Sequence, residues 1–165
     1  MNALVPGWPL ALFRIAFGLL YLDMALQKAP WRDFGWLRSF IETEIPHPTV
    51  PAVAVFLRDI VLAHFAFFGW MTFLVEMALG LGLLLGLFTR LAGVAGVLWQ
   101  VNIAMQAFNV PGEWPWIWVL LILPQFCFAF CGAGRIWGLD ARLAPALERW
   151  AQAGERWVRF LRLAA

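Results

Sequence analysis

Residues 67–90 read FFGWMTFLVEMALGLGLLLGLFTR. At a helical rise of about 1.5 Å per residue this run can cross the roughly 30 Å hydrocarbon core of a bilayer. One carboxylate, Glu76, stands near its middle. An acid at bilayer depth costs roughly 2.5–3.5 kcal/mol on insertion scales, so it is expected to face a partner or a cavity. Gly80, Gly82 and Gly86 follow, and Arg90 ends the run at a water interface.

The rest of the chain has the same character. Of 165 residues 63% are hydrophobic and only 13% charged, too few polar groups to cover a water-soluble fold of this size. Lipid must therefore cover much of it. Eleven Trp against one Tyr point to anchoring at membrane–water boundaries. A formal net charge of +2 implies no nucleic-acid partner, and the length fits one domain. The first apolar run lacks a basic leader, contains Arg14 and has no small-residue cleavage motif after it, so it reads as a retained span.

Four spans are predicted, at about residues 9–27, 62–88, 91–110 and 116–131. Pro9 suits the start of the first, and Pro30 with Trp31 ends it. Residues 30–60 form a polar excursion, a long outer loop that such a compact protein uses for function or to cap a site. Within it Trp36–Glu44 is a short amphipathic helix. Pro46, Pro48 and Pro51 break regular structure, and Val53–Ile60 is a further short helix. Pro124 kinks the fourth span. Gly132-Ala133-Gly134 ends it.

Residues 1–139 thus make an all-α, four-transmembrane-helix bundle, and 140–165 a basic amphipathic helix. Its apolar stripe is Leu143, Leu147, Trp150, Trp157 and Leu161; Arg142, Arg149 and Arg156 recur beside it, with Arg159 and Arg162 near the end. That pattern suits a helix lying on an anionic membrane surface, with packing on a partner subunit as the lesser alternative. Seven arginines (Arg90, Arg135 and five in the tail) fall on one side, and Lys28, Arg32, Arg38 and Arg58 on the other. The positive-inside rule then places both termini in the cytoplasm.

Two polar groupings stand out. Glu76, Gln100 and Asn102 share a depth near the midplane, and Arg14 lies within reach of Glu76. Tyr21 shares a helix face with Arg14. This set is either a buried network that fixes helix packing or a functional site. On the outer side Lys28, Arg32, Arg58, His64, Gln106 and Asn109 form either an anion-binding vestibule or ordinary interfacial charge with snorkelling stems. Cys127 and Cys131, four apart on one helical face, have poor disulfide geometry and read as small apolar packing. There is no P-loop, GxGxxG, CxxC or acidic two-metal cluster, and two outer-side histidines do not make a bis-His haem site. No metal, haem or nucleotide site is evident.

The run LFRIAFGLLYLDMALQKAPW, the block FGWMTFLVEMALGLGLLLGLFTRLAG, PHPTVP, the turn NVPGEWPW and the ending GAGRIWGLD resemble the DoxX/DoxD-like membrane proteins over residues 9–141. The resemblance implies a four-helix bundle in a bacterial or archaeal cell (inner) membrane. For the DoxD branch it implies the membrane subunit of a thiosulfate:quinone oxidoreductase, which works with a second subunit, DoxA, oxidises thiosulfate to tetrathionate and passes electrons to membrane quinone. On that reading Glu76 is the catalytic candidate, exchanging protons at a quinone head group held by Arg14, Tyr21, Gln100 and Asn102, and the outer vestibule takes the thiosulfate dianion. The alternatives are a non-catalytic scaffold that docks a redox partner, and a small-solute carrier, the latter requiring a homo-oligomer.

Overall fold

The structure is a computed structural model that describes residues 7–152. The expected continuation of the C-terminal helix through Arg156, Trp157, Arg159, Leu161 and Arg162 lies outside those residues. Seven α-helices and no strand occur among the described residues: α1 (Trp8–Gln27), α2 (Leu37–Glu44), α3 (Pro51–Phe56), α4 (Phe65–Leu85), α5 (Thr89–Ala107), α6 (Trp116–Phe130) and α7 (Asp140–Gln152). The helix α1 packs along α4, α5 along α6, and α4 against α5.

Local chemistry accounts for most of the boundaries. Pro9 and Pro51 sit in the first turns of α1 and α3, where a missing N–H leaves no bond unmade. Ahead of Pro30, Ala29 is extended, as the proline ring requires, and α1 has ended by then. The end of α4 is set by Gly86, at φ 64°; the Leu87 N–H donates to the Gly82 carbonyl at 2.9 Å, a Schellman closure.

The second and third long helices are bounded differently from the expected spans, ending at Leu85 and Ala107 rather than 88 and 110. The second long helix starts at Phe65 rather than 62, because α3 runs into a π-helical turn, Leu57–Val61, that the Leu62 N–H closes on the Leu57 carbonyl. The third starts at Thr89 rather than 91. Its first donors are taken up from a distance: Asp140 Oδ1 accepts the Phe88 N–H and Oδ2 the Thr89 N–H, both at 2.8 Å. Pro124 lies inside α6, buried.

Asp140 belongs to a knot that closes this end of the bundle. The Leu139 and Asp140 N–H groups donate to the carbonyls of Leu85 and Gly86. Fully buried Arg14 donates to the carbonyls of Leu83 (2.8 Å), Ile136 and Trp137 (both 3.2 Å). The start of α7 packs here too, Ala144 and Leu147 burying against Phe88. Part of the expected lipid-facing stripe is therefore spent inside the molecule, while Trp150 stays exposed.

The bundle buries polar side chains within an apolar core and shows apolar ones on its outside. Arg14, Tyr21, Glu76, Gln100 and Gln125 are buried, whereas Leu19, Leu74, Leu98, Leu123 and Phe130 face outward from α1, α4, α5 and α6. Water would penalise that arrangement; lipid favours it. By length and composition α1 and α4 are each able to cross a membrane, and α6 is a shorter apolar helix.

Candidate functional site

At the end of the bundle opposite the Arg14 knot lies a cavity of about 430 Å³, within the size range of small-molecule sites. Its walls are apolar: Leu20 and Met24 from α1, Phe68 and Met71 from α4, Ile103 from α5, and Ile117 and Leu121 from α6. The loop of residues 30–61 folds over it. Trp36, Leu37, Phe40, Ile41 and Glu44 cover it from α2 and its first flank, and Phe56 and Val61 add to the cover. The cover is held by its own core, in which Phe34, Leu37 and Ile41 pack against Leu57, Val61 and Phe65.

The polar groups gather around Glu76. Lys28 Nζ lies 2.5 Å from Glu76 Oε1, and both side chains are buried. The ammonium also lies 5.0 Å from the Trp36 ring centroid, a cation–π contact that ties the pair to the cover. Trp36 Nε1 in turn donates to Gln27 Oε1 at 3.2 Å, and Gln27 Nε2 to Asp23 Oδ2 at 2.7 Å. Alongside, Gln100 Nε2 donates to the Tyr21 hydroxyl (3.1 Å) and Tyr21 donates to Gln125 Oε1 (3.0 Å). Gln125 fits because Gly96 has no side chain: a Cβ there would overlap Gln125 Oε1.

Several buried atoms of this site lack a well-formed hydrogen bond to any of the described residues. Gln100 Oε1 is an unmatched acceptor, while Glu76 Oε2 and Trp99 Nε1 make no hydrogen bond of ordinary geometry, although the indole N–H lies near enough to the Glu76 carboxylate to interact with it. Glu76, Trp99 and Gln100 all line the cavity. A buried polar group left unmet costs about 1–3 kcal/mol, so these atoms mark where a ligand or water completes the structure. A second acid, Glu44, also lines the cavity and is buried, with Oε2 unpartnered. Burial, and after it the nearby charge of Glu113, pushes its carboxyl up to about 7.

The residues singled out from sequence divide three ways. Glu76, Lys28, Gln100, Asn102 and Gln106 line the cavity, and Tyr21 backs it through Gln100. Arg32, Arg58 and His64 lie exposed outside its lining; Arg58 pairs with its neighbour Asp59. Asn109, also exposed, donates to the Pro48 carbonyl at 3.1 Å. Arg14 is at the far end of the bundle. Its side chain does not turn toward Glu76, because helical side chains lean toward their own N-terminus. On α1 that direction carries Arg14 away from Glu76 and brings Lys28 back to it. The same rule, applied to Lys28, was available in the sequence. Trp99, Gln125 and Glu44 carry no such signal; their roles depend on helix rotation and on how the loop folds.

Cys127 and Cys131 are unpaired, one half-buried and the other exposed. A family model described as "TQO small subunit DoxD" matches residues 9–161. No curated protein and no solved structure matches the chain.

Proposed function

The chain belongs to the DoxD family, and from that premise we propose that it is the membrane subunit of a quinone-linked oxidoreductase resembling thiosulfate:quinone oxidoreductase. In this reading α1, α4, α5 and α6 all cross the membrane. The helix α5 supplies roughly 28 Å of rise and α6 roughly 22 Å, with tryptophans extending the ends. Both termini are cytoplasmic and the α2 cover faces outward. Residues 7–139 are the membrane bundle and 140–165 its basic tail.

The observation that carries the proposal is the set of unmatched atoms on the cavity floor. A quinone carbonyl needs donors, which Trp99 Nε1 and the Lys28 ammonium offer. A quinol hydroxyl needs acceptors, which Glu76 Oε2 and Gln100 Oε1 offer. Apolar walls suit the ring. Three carboxylates (Glu44, Glu76 and Glu113) and one ammonium line the space, a balance that admits a neutral ring and repels a dianion. Thiosulfate oxidation is therefore assigned to the outer surface, near Arg32, Arg58, His64 and Asn109, together with a second subunit.

Two thiosulfates joined as tetrathionate release two electrons, and a bound quinone takes these up with two protons. The chain's own residues then have distinct tasks. Trp99 and Lys28 orient the ring by its oxygen, and the covering aromatics exclude water. Glu76 Oε2 holds or passes a proton, while Lys28 keeps the other carboxylate oxygen fixed.

The test uses the full chain with its partner subunit, thiosulfate and a short-chain ubiquinone. Glu76→Gln should lower quinone reduction about 100-fold, within the range of a lost proton-transfer group. Trp99→Phe should raise KM for the quinone by roughly five- to tenfold, as expected for one lost hydrogen bond. Unchanged turnover in Glu76→Gln removes Glu76 from the reaction.

A further inference from the structure

Among the described residues, Glu44 is an acid without a cation. It is almost fully buried, it faces the same cavity as Glu76, and one carboxylate oxygen has no partner. The groups around it make this deliberate-looking arrangement specific. Glu113 comes from the α5–α6 turn, is half-buried and lines the same cavity. Lys28 is committed to Glu76. On its own helix Glu42 and Arg38 are exposed and face one another. His47 follows three residues later, its backbone N–H donating to the Glu44 carbonyl. Among the described residues no ion pair reaches Glu44.

The two acids are held together by packing and a tie. Phe40 of α2 packs against Ala107, Val110 and Trp118, around the α5–α6 turn. The bond from Asn109 to the Pro48 carbonyl fastens that turn to the segment after α2. Glu44 thus lies near a half-buried acid and faces the same cavity as Glu76, and among the described residues no cation pairs with it to hold it permanently ionised.

We infer that Glu44 is the proton-exchange group of this cavity, loaded from outer water by way of Glu113 and discharged toward the Glu76 floor. A proton from water converts the Glu44 carboxylate to the acid. The proton then leaves into the cavity and the carboxylate is restored; no electron moves at this residue. The inference rests on the quinone reading for the destination of the proton, but the exchange itself is a property of Glu44. Its carboxyl, pushed up to about 7, suits uptake and release near neutral pH.

The decisive experiment is infrared difference spectroscopy of the full chain in lipid nanodiscs between pH 6 and 8, in H₂O and D₂O. The expected result is a carboxylic-acid band that titrates near pH 7, shifts in D₂O within the mixing time, vanishes in Glu44→Gln and persists in Glu44→Asp. Removing the neighbouring charge in Glu113→Gln should move its midpoint to lower pH. With partner, thiosulfate and short-chain ubiquinone, Glu44→Gln should lose about tenfold in rate and lose the inflection near pH 7, while Glu44→Asp retains both. A band that survives in Glu44→Gln, a carboxyl that does not exchange with D₂O, or an unchanged pH profile overturns the inference. Tryptophan quenching by the short-chain ubiquinone separates the two ideas. Absence of binding to the wild-type chain removes the quinone reading, and the infrared titration still decides whether Glu44 exchanges protons.

Discussion

At the scale of single residues, the two buried acids of the cavity differ in company. Glu76 has Lys28, whereas Glu44 has only Glu113, and that has a thermodynamic consequence. The folded carboxyl of Glu44 is raised from its ordinary 4.5 to about 7. Over that window the folded state holds a proton that the unfolded chain has released. Stability therefore falls as pH rises from about 4.5 to about 7, and the deficit is constant above it. Its ceiling is about 3 kcal/mol. Glu44→Gln, neutral throughout, should match the wild-type melting midpoint at pH 5 and exceed it by several degrees at pH 8. Equal midpoints at pH 8 contradict the burial argument. Glu76 was conspicuous in the sequence because a carboxylate in an apolar run always is. Its partner was less so: Arg14 and Lys28 both lie on the α1 face toward it, and only the direction in which helical side chains lean separates them.

At the scale of elements, the close approach of α1 and α4 depends on two glycines. A Cβ at Gly18 would lie 2.5 Å from the Leu84 backbone nitrogen, and one at Gly80 would lie 2.7 Å from Leu22 Cδ2. The backbone neighbour at Gly18 cannot yield by a rotamer change. Gly18→Val should therefore force the helices apart, costing about 1–3 kcal/mol or more and lowering the thermal midpoint by several degrees. Gly82→Ala, whose Cβ would meet nothing nearer than 3.4 Å, should be nearly neutral. The outcome that counts against this packing is equal loss in both variants. Small residues near Glu76 were legible as a close-packing face; which helix filled each notch was not. Gly80 receives Leu22 of α1, but Gly69 receives Phe34 from the loop between α1 and α2.

At the scale of the whole molecule, α1 and the start of α7 are tied to the middle of the chain. Asp140, more than fifty residues from the turn it closes, accepts two backbone N–H groups there. Arg14, near the start, holds carbonyls from both Leu83 and the 136–137 segment. Asp140→Ala would leave the Phe88 and Thr89 donors unmet in a closed site, at about 1–3 kcal/mol each. It should lower the melting midpoint of the entire bundle, whereas Glu148→Ala, exposed on α7, should not. A midpoint unchanged in Asp140→Ala would show that the knot is dispensable. Sequence by itself determined the helical character, the apolar runs, the breaks at prolines and glycines, and the presence of a costly acid in a greasy helix. Those are local properties: run length and side-chain type act within a few residues along the chain. Tertiary structure alone decided which carbonyls Arg14 holds at the opposite end, and that the loop of residues 30–61 covers a cavity and brings a second acid to it. Each depends on helix rotation, side-chain direction and contacts between residues tens of positions apart, where spacing along the chain carries no information about distance in space.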